Sequence, residues 1–373
     1  MHPPIAAALC LTLVASVAQP APPRPPAPFA DVVRKHFQTW DTDASGTLSR
    51  SEVEAVSEDP DRLGDEAAAL GAVRLVYRTI QVDPPSLAVL VGEVPSIIEW
   101  EKAFAQARAR VENLRPQMWI GPLPSLDQIR MGEFGNSAFV ALAAGLAHEN
   151  PTQMKVNFVA RGQGVYLVML PDQQLQVPPL TTAQIAGSST LGNEGLWMAV
   201  LEKAVEIACK KAGATIVGDG TTGSCADAAR ELFKVYFNPN FETSILASTK
   251  GKDMKPHTSE KISDKDQFIW QTLRYAKAQN APAIAMTYAD NAVPGLTSVS
   301  WVVAISQETS KYTARFWDPR GGDFTPKGPP NLTNGYEIKK GYFSVPGIVG
   351  AGVFDVALAP PDKWFWPGER KPK

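Results

Sequence analysis

The chain has 373 residues, of which 44% are hydrophobic and 20% are charged. This composition is typical of a globular protein with enough length for two or three domains. The formal charge at neutral pH is −2, which gives no electrostatic basis for binding nucleic acid, and we expect none.

The N-terminus carries the pattern of a secretory signal peptide. Residues 5–17 form an apolar run that is too short to span a bilayer. Ser16 and Ala18 place small residues at positions −3 and −1 of a cleavage site after Ala18. We therefore predict a signal peptide over residues 1–18 and a secreted or periplasmic protein with no membrane span. Residues 19–28 are rich in proline and predict a stiff linker.

Residues 41–52 match the twelve-residue calcium-binding loop of an EF-hand. Calcium takes six to eight hard oxygen ligands, and this loop offers them at alternating positions. Gly46 stands at position six, where the chain must turn sharply. A solvated acidic turn is the alternative interpretation. The predicted calcium ligands are Asp41, Asp43, Ser45, Thr47, Ser49 and Glu52.

The flanks of this loop predict helices, as an EF-hand requires. Apolar residues recur at helical spacing from Phe29 to Trp40, and a second helix is predicted from Ser51 onward. We assign residues 29–60 to the EF-hand. EF-hands usually pair, but no second loop in the chain has a full ligand set. A lone hand with three carboxylates predicts weak binding, with a Kd on the order of 10⁻⁴ to 10⁻³ M.

A helical linker region is predicted for residues 61–115. Residues 67–77 and 97–114 carry helical patterns, and the sequence from Asp83 to Pro85 separates them.

The pattern changes at about residue 116. Residues 157–170 alternate as a hairpin, and residues 195–212 form a clear helical pattern. Runs rich in β-branched and aromatic residues follow at 297–306, 313–317 and 341–358. Helices followed by strands predict an α+β fold with an antiparallel sheet.

Four blocks in this second part resemble calpain-type cysteine proteases, which have the papain fold. They are residues 131–142 (MGEFGNSAFVAL), 197–204 (WMAVLEKA), 294–303 (PGLTSVSWVV) and 316–321 (FWDPRG), in the order of the family. The resemblance covers residues 120–325. It implies that residues 116–373 form a calpain-like domain with a helical lobe and an antiparallel β lobe.

The positions that carry the family's chemistry are substituted. On this resemblance Ser137 stands at the nucleophilic cysteine, Ser300 at the histidine and Asp318 at the asparagine, while Met131 replaces the glutamine that stabilises the oxyanion. A serine hydroxyl needs an adjacent base, and neither Ser300 nor Met131 supplies a base or a hydrogen-bond donor to an oxyanion in the family's manner. We predict that the protease chemistry is absent.

The remaining cysteines and histidines do not restore a catalytic set. Cys209 and Cys225 form either one disulfide in an oxidising compartment or two buried free thiols, and both alternatives stay open. His148 ends the helix that begins near Ser137, and His257 lies in a polar stretch. Neither histidine has a carboxylate or thiol at a sequence spacing that would indicate a catalytic pair.

Three functional hypotheses follow. The first is a secreted calcium-binding pseudoprotease whose cleft binds a peptide or protein. The second is an active calcium-dependent hydrolase that uses Ser137 as its nucleophile. The third is a calcium-binding structural or cell-surface protein in which the protease resemblance is incidental.

Overall fold

A computed structural model describes residues 28–212 and 270–358 with short gaps. The predicted signal peptide and most of the proline-rich linker lie outside the described residues, as do Cys225 and His257 and the side chains of Ser137 and Cys209. The gaps fall at 80–82, 97, 127–128, 130, 132–136, 170–172, 191–194, 271–272, 275, 278–281, 288–292, 297–299, 309–310 and 348–352.

The N-terminal region, residues 29–115, is helical as predicted. Its helices share one core of apolar side chains, in which Phe29 stacks on Trp100 with ring centroids 5.7 Å apart. Helix α1 begins directly after Pro28, and its buried residues recur at helical spacing on one face. The helices are α1 (Phe29–Trp40), α2 (Arg50–Ser57), α3 (Gly64–Thr79), α4 (Leu87–Leu90) and α5 (Trp100–Glu112).

The next part of the chain combines helices with a small antiparallel sheet. The predicted hairpin is confirmed, and its turn contains Gly162 and Gly164, both with positive φ. A third strand pairs with the second, so the order in this sheet is β1-β2-β3. The elements are α6 (Ser137–Glu149), α7 (Pro151–Val156), β1 (Phe158–Gly162), β2 (Val165–Met169), β3 (Gln174–Val177), α8 (Thr182–Ala186) and α9 (Trp197–Ala212).

A larger antiparallel sheet closes the fold. Within the described residues five strands form it in the order β7-β6-β5-β4-β8. One face packs against the core that contains α6 and α9, and the other face belongs to a separate core around Phe316 and Phe343. The strands are β4 (Ile284–Thr287), β5 (Trp301–Glu308), β6 (Thr313–Trp317), β7 (Tyr342–Pro346) and β8 (Phe354–Leu358).

Helix α3 joins the N-terminal region to the rest of the molecule. It packs closely on α8, where a Cβ atom placed on Gly71 would lie 2.4 Å from the Cβ of Ala186. Ala183 and Ala186 of α8 complete the N-terminal core. The buried Arg74 of α3 also pairs with a carboxylate of α9.

The α+β class with antiparallel sheets is confirmed at this coarse level. The predicted order of helices before strands is too simple, because the small sheet lies between α7 and α8. Strand β4 was not predicted, since its short run Ile-Ala-Met-Thr lacks a strand pattern of its own. The domain boundaries stay predictions.

No helix among the described residues is long and apolar enough to cross a membrane.

Candidate functional site

The predicted calcium loop connects the end of α1 to the start of α2. The N–H of Asp41 donates to the carbonyl of Phe37 at 2.8 Å, and this bond closes α1. Ser49 caps α2 in a capping box with Glu52. Between them Gly46 has a φ of 81°, which favours glycine, and its surroundings are open. The sequence therefore folds this loop with a helix end on each side.

The loop brings its three carboxylates together. Ligand oxygens of Asp41, Asp43 and Glu52 all lie within 4.8 Å of one another, so this cluster could hold a metal ion. Backbone amides fix the carboxylate of Asp41 in place. Its two oxygens accept from the N–H groups of Ser45 at 2.9 Å and Gly46 at 2.8 Å. Asp43 also accepts from the N–H of Ser45, at 3.0 Å.

Glu52 is held by hydrogen bonds from both ends of the loop. Its Oε1 accepts from the N–H groups of Thr42 at 2.7 Å and Asp43 at 3.2 Å. Its Oε2 accepts from the N–H of Ser49 at 2.8 Å and the hydroxyl of Ser49 at 2.7 Å. Burial alone would raise the pKa of Glu52, but these hydrogen bonds outweigh it and lower the pKa to about 2. The carboxylate is therefore ionised at neutral pH.

The neutral predicted ligands lie in the same loop. The hydroxyl of Ser45 lies 3.1 Å from the carbonyl oxygen of Thr47 and 3.4 Å from Oδ1 of Asp41. Ser49 is engaged as the helix cap. Thr42 was not predicted as part of the site, yet both its N–H and its hydroxyl bond to Glu52. Its position between two acidic residues gave no signal, because any residue can supply the backbone bond.

This donor set fits a hard divalent cation. The oxygens come from carboxylates, hydroxyls and one carbonyl, which are the ligand types that calcium and magnesium prefer. The three carboxylates carry the charge that offsets the cation, and the loop already orders them without strain at the glycine.

The positions predicted from the protease resemblance lie at one end of the large sheet. Ser300 directly precedes β5, and Asp318 directly follows β6. The register pairs Val303 with Trp317, so both positions stand at the same end of these neighbouring strands. The N–H of Met131 donates to the carbonyl of Pro319 at 3.0 Å, which brings Met131 to this end as well.

Helix α6 runs alongside β5 in the same direction. A Cβ on Gly145 would lie 3.6 Å from Val303, and Nε2 of His148 lies 3.2 Å from the carbonyl oxygen of Ile305. Ser137 begins α6 about 12 Å before Gly145, and Ser300 lies about 10 Å before Val303. The start of α6 therefore faces the end of the sheet that carries Ser300.

The three described side chains at this end are buried. Met131 is 3% exposed, Ser300 0% and Asp318 4%. Met131 belongs to the hydrophobic core, and the hydroxyl of Ser300 has no hydrogen-bond partner among the described residues. Oδ1 of Asp318 accepts from the N–H of Arg320 at 2.9 Å. The arrangement offers a carboxylate and a serine hydroxyl, and both residues are buried.

The described histidines lie away from the start of α6. His148 is eleven residues further along the same helix, about 16 Å away along its axis. His36 lies in α1, where its Nδ1 is 3.2 Å from Oε1 of Glu66. The ring of His148 therefore cannot serve as a base for residue 137, and the ring of His36 is engaged with Glu66.

Comparison with known proteins does not assign the chain to a family. No family model matches the chain, and no curated protein matches it.

Proposed function

We propose that this protein binds calcium through residues 41–52 and that its C-terminal region is a calpain-like pseudoprotease. The observation that carries the calcium proposal is the convergence of the Asp41, Asp43 and Glu52 carboxylates within 4.8 Å. The Glu52 carboxylate is ionised and held by five hydrogen bonds before any ion arrives. This preorganisation reduces the cost of ordering the loop on binding.

The residues of the loop contribute different ligand types to calcium binding. Asp41 and Asp43 supply charge from the start of the loop, and Glu52 supplies it from the first turn of α2. Ser45 and the carbonyl of Thr47 supply neutral oxygens, and Ser49 holds Glu52 through its N–H and its hydroxyl. The ion, when bound, contributes a positive charge that links these oxygens. Binding would thereby stabilise the angle between α1 and α2.

The pseudoprotease part of the proposal draws on the sequence blocks and on the site geometry. Met131, Ser300 and Asp318 lie at one end of the sheet, beside the start of the helix that Ser137 begins. Their residue types are unsuited to acyl transfer, because the serine at position 300 supplies no base and the methionine side chain at position 131 supplies no oxyanion donor. A peptide or protein ligand at this end of the sheet would reach the three buried side chains only after the packing around them opens.

Thermal unfolding with and without 10 mM calcium tests the calcium proposal. A Kd of 10⁻⁴ to 10⁻³ M implies stabilisation of about 1.4 to 2.7 kcal/mol at this concentration, which raises Tm by a few degrees. Glu52→Gln removes a ligand charge and should abolish the shift. Glu337→Gln is the matched control, because Glu337 is an exposed carboxylate far from the loop. An equal calcium shift in wild type and Glu52→Gln would refute the proposal.

A further inference from the structure

Strand β7 forms one edge of the large sheet within the described residues. Its hydrogen bonds to the neighbouring strand show which backbone groups face outward. The N–H of Asp318 donates to the carbonyl of Gly341 at 2.9 Å, and at the other end the N–H of Gly347 donates to the carbonyl of Tyr312 at 2.7 Å. Bonded and non-bonded pairs alternate along an antiparallel ladder. Positions 341, 343, 345 and 347 therefore face β6, and positions 342, 344 and 346 face away from it.

Ser344 presents a free donor and a free acceptor at this edge. It is exposed, and neither its N–H nor its carbonyl has a partner among the described residues. The other two outward positions differ from it. Tyr342 already exchanges backbone bonds with Lys339, at 2.9 Å in both directions. Pro346 has no N–H. The edge is therefore open to a further strand at Ser344.

A groove of about 880 Å³ lies along the same edge, and Ser344 is part of its lining. Tyr342 lines it from the face of the sheet that packs on the core around α6. Phe343 and Ile338 line it from the core on the opposite face. A groove that is lined from both faces must straddle the edge at which the sheet ends. None of the predicted calcium ligands lines it.

A cation stands beside the free backbone groups. Arg315 lies directly opposite Ser344 in the register of β6 and β7, so both side chains point to the same face of the sheet. The guanidinium of Arg315 lies 4.9 Å from the centre of the Tyr342 ring. No carboxylate in the described part of the chain pairs with it. The groove thus holds an arginine that is positioned by an aromatic ring and open to an anion.

The two carboxylates of the groove are engaged elsewhere. Oδ1 of Asp323 accepts from the N–H of Lys340 at 2.6 Å. Oε1 of Glu337 lies 2.9 Å from Nζ of Lys339. The side chain of Lys340 also lines the groove and has no ion pair with the residues that the structure describes. The charge that remains unpaired is positive, which favours an acidic ligand.

The opposite face of the groove is apolar and contains a buried hydroxyl. Tyr336, Ile338 and Phe343 belong to one core. Burial raises the pKa of Tyr336 to about 12, so the hydroxyl keeps its proton at neutral pH. This hydroxyl has no hydrogen-bond partner in the described ranges. Apolar side chains of a ligand fit this face, and the tyrosine offers a donor beside them.

We propose that the β7 edge binds an extended peptide in which acidic and apolar side chains alternate. The peptide adds a strand beside β7, and its backbone exchanges hydrogen bonds with the N–H and carbonyl of Ser344. Successive side chains of a strand point to opposite faces. The acidic ones therefore lie on the face of Arg315, which reaches them across the small Ser344, and the apolar ones lie towards Phe343. The site goes beyond the proposed calcium function and does not depend on it.

Fluorescence anisotropy with two synthetic peptides tests the charge of the ligand. The probe is a fluorescein-labelled eight-residue peptide of alternating valine and glutamate, and lysine replaces glutamate in the matched control. The full chain should bind the glutamate peptide at least about tenfold more tightly than the lysine peptide, because the unpaired charges of the groove are positive. Equal affinity for the two peptides would overturn the proposal.

Arg315→Gln tests the cation that faces the peptide. The loss of a charged donor should raise the Kd of the glutamate peptide about 3- to 10-fold. Arg161→Gln is the matched control, because Arg161 is an exposed arginine on a strand of the small sheet. It should keep the wild-type Kd. Equal affinities in the two variants would contradict the role of Arg315.

Backbone methylation of the probe tests the strand pairing without changing the protein. The peptide residue opposite Ser344 is a glutamate, because bonded partners point to the same face. Methyl groups on the glutamate nitrogens remove the N–H that pairs with the carbonyl of Ser344, and Kd should rise about tenfold or more. Methyl groups on the valine nitrogens point away from β7 and should leave Kd within about twofold. Equal binding of the two methylated peptides would overturn the proposed mode of binding.

Ser344→Pro makes the complementary change in the protein. Proline removes the outward N–H and no bond of the β6–β7 ladder, a position that edge strands tolerate. Ser344→Ala keeps the N–H and is the control. Only the proline variant should lose affinity for the glutamate peptide. Sedimentation equilibrium distinguishes the peptide from a second copy of the chain as the occupant. A wild-type dimer that Ser344→Pro abolishes would overturn the peptide assignment.

Discussion

The guanidinium of Arg74 lies 3.1 Å from the carboxylate of Glu206, and this ion pair joins α3 of the N-terminal region to α9. The Nε of Arg74 also lies 2.8 Å from Glu54 of α2. The Arg74 side chain is 3% exposed, and Glu206 also pairs with Lys203 at 3.1 Å. The buried guanidinium of Arg74 thus connects α2, the helix that follows the calcium loop, with α9.

We predict that Arg74→Met destabilises the protein by up to about 3 kcal/mol, because Glu54 loses its partner in a partly buried site while Glu206 keeps its ion pair with Lys203. Urea unfolding measures the change. Arg34→Met is the control, since Arg34 pairs with Asp31 at an exposed position, where an ion pair contributes at most about 1 kcal/mol. Equal losses of unfolding free energy in Arg74→Met and Arg34→Met would contradict the role of Arg74 in joining α3 to α2 and α9.

A second prediction concerns the pH dependence of stability. The pKa of Glu52 falls from an ordinary value of 4.5 to about 2 in the folded protein. Its ionised form therefore stabilises the fold at pH values above 4.5, and this contribution is lost as the pH falls towards 2. The difference in unfolding free energy between wild type and Glu52→Gln should shrink over this range in urea titrations. A difference that stays constant from pH 6 to pH 2 would exclude this role.

A third prediction tests the contact between α3 and α8. Alanine favours a helix over glycine by up to about 1 kcal/mol, so Gly71→Ala would stabilise an isolated α3. In the protein the added Cβ would lie 2.4 Å from the Cβ of Ala186 and 2.9 Å from the backbone N of Gly187. We therefore expect a net loss of about 1 to 3 kcal/mol in urea unfolding. Unchanged or increased stability would show that the two helices separate easily.

A fourth prediction concerns the absence of hydrolase chemistry. Ser137 should not react with a fluorophosphonate probe in folded protein at 10 mM calcium, and casein should remain intact. The physical reason is that His148 lies about 16 Å along α6 from residue 137, so its ring supplies no base there. Ser137→Ala is the matched control. Labelling or cleavage that disappears in this variant would support the hydrolase hypothesis instead.

The calcium loop could be predicted because its ligands are local. Asp41 to Glu52 lie within twelve consecutive residues, and each position has a demand that residue type alone reveals. The flanking helices followed from the spacing of apolar residues such as Phe37 and Trp40. Such features need no knowledge of the tertiary fold.

The groups that surround the loop could not be predicted in this way. The N–H of Leu48 donates to the backbone carbonyl of Pro85, a group that every residue possesses, and Tyr77 reaches the loop across 29 residues of sequence. The burial of Ser300 likewise depends on long-range packing rather than on its own residue type.

A crystal structure of the full chain grown with calcium, with an anomalous difference map to identify the ion, tests the central claim most directly. We predict a single anomalous peak in the loop, about 2.3 to 2.6 Å from oxygens of Asp41, Asp43, Ser45, Thr47 and Glu52. A loop without such a peak in crystals saturated with calcium would contradict the claim.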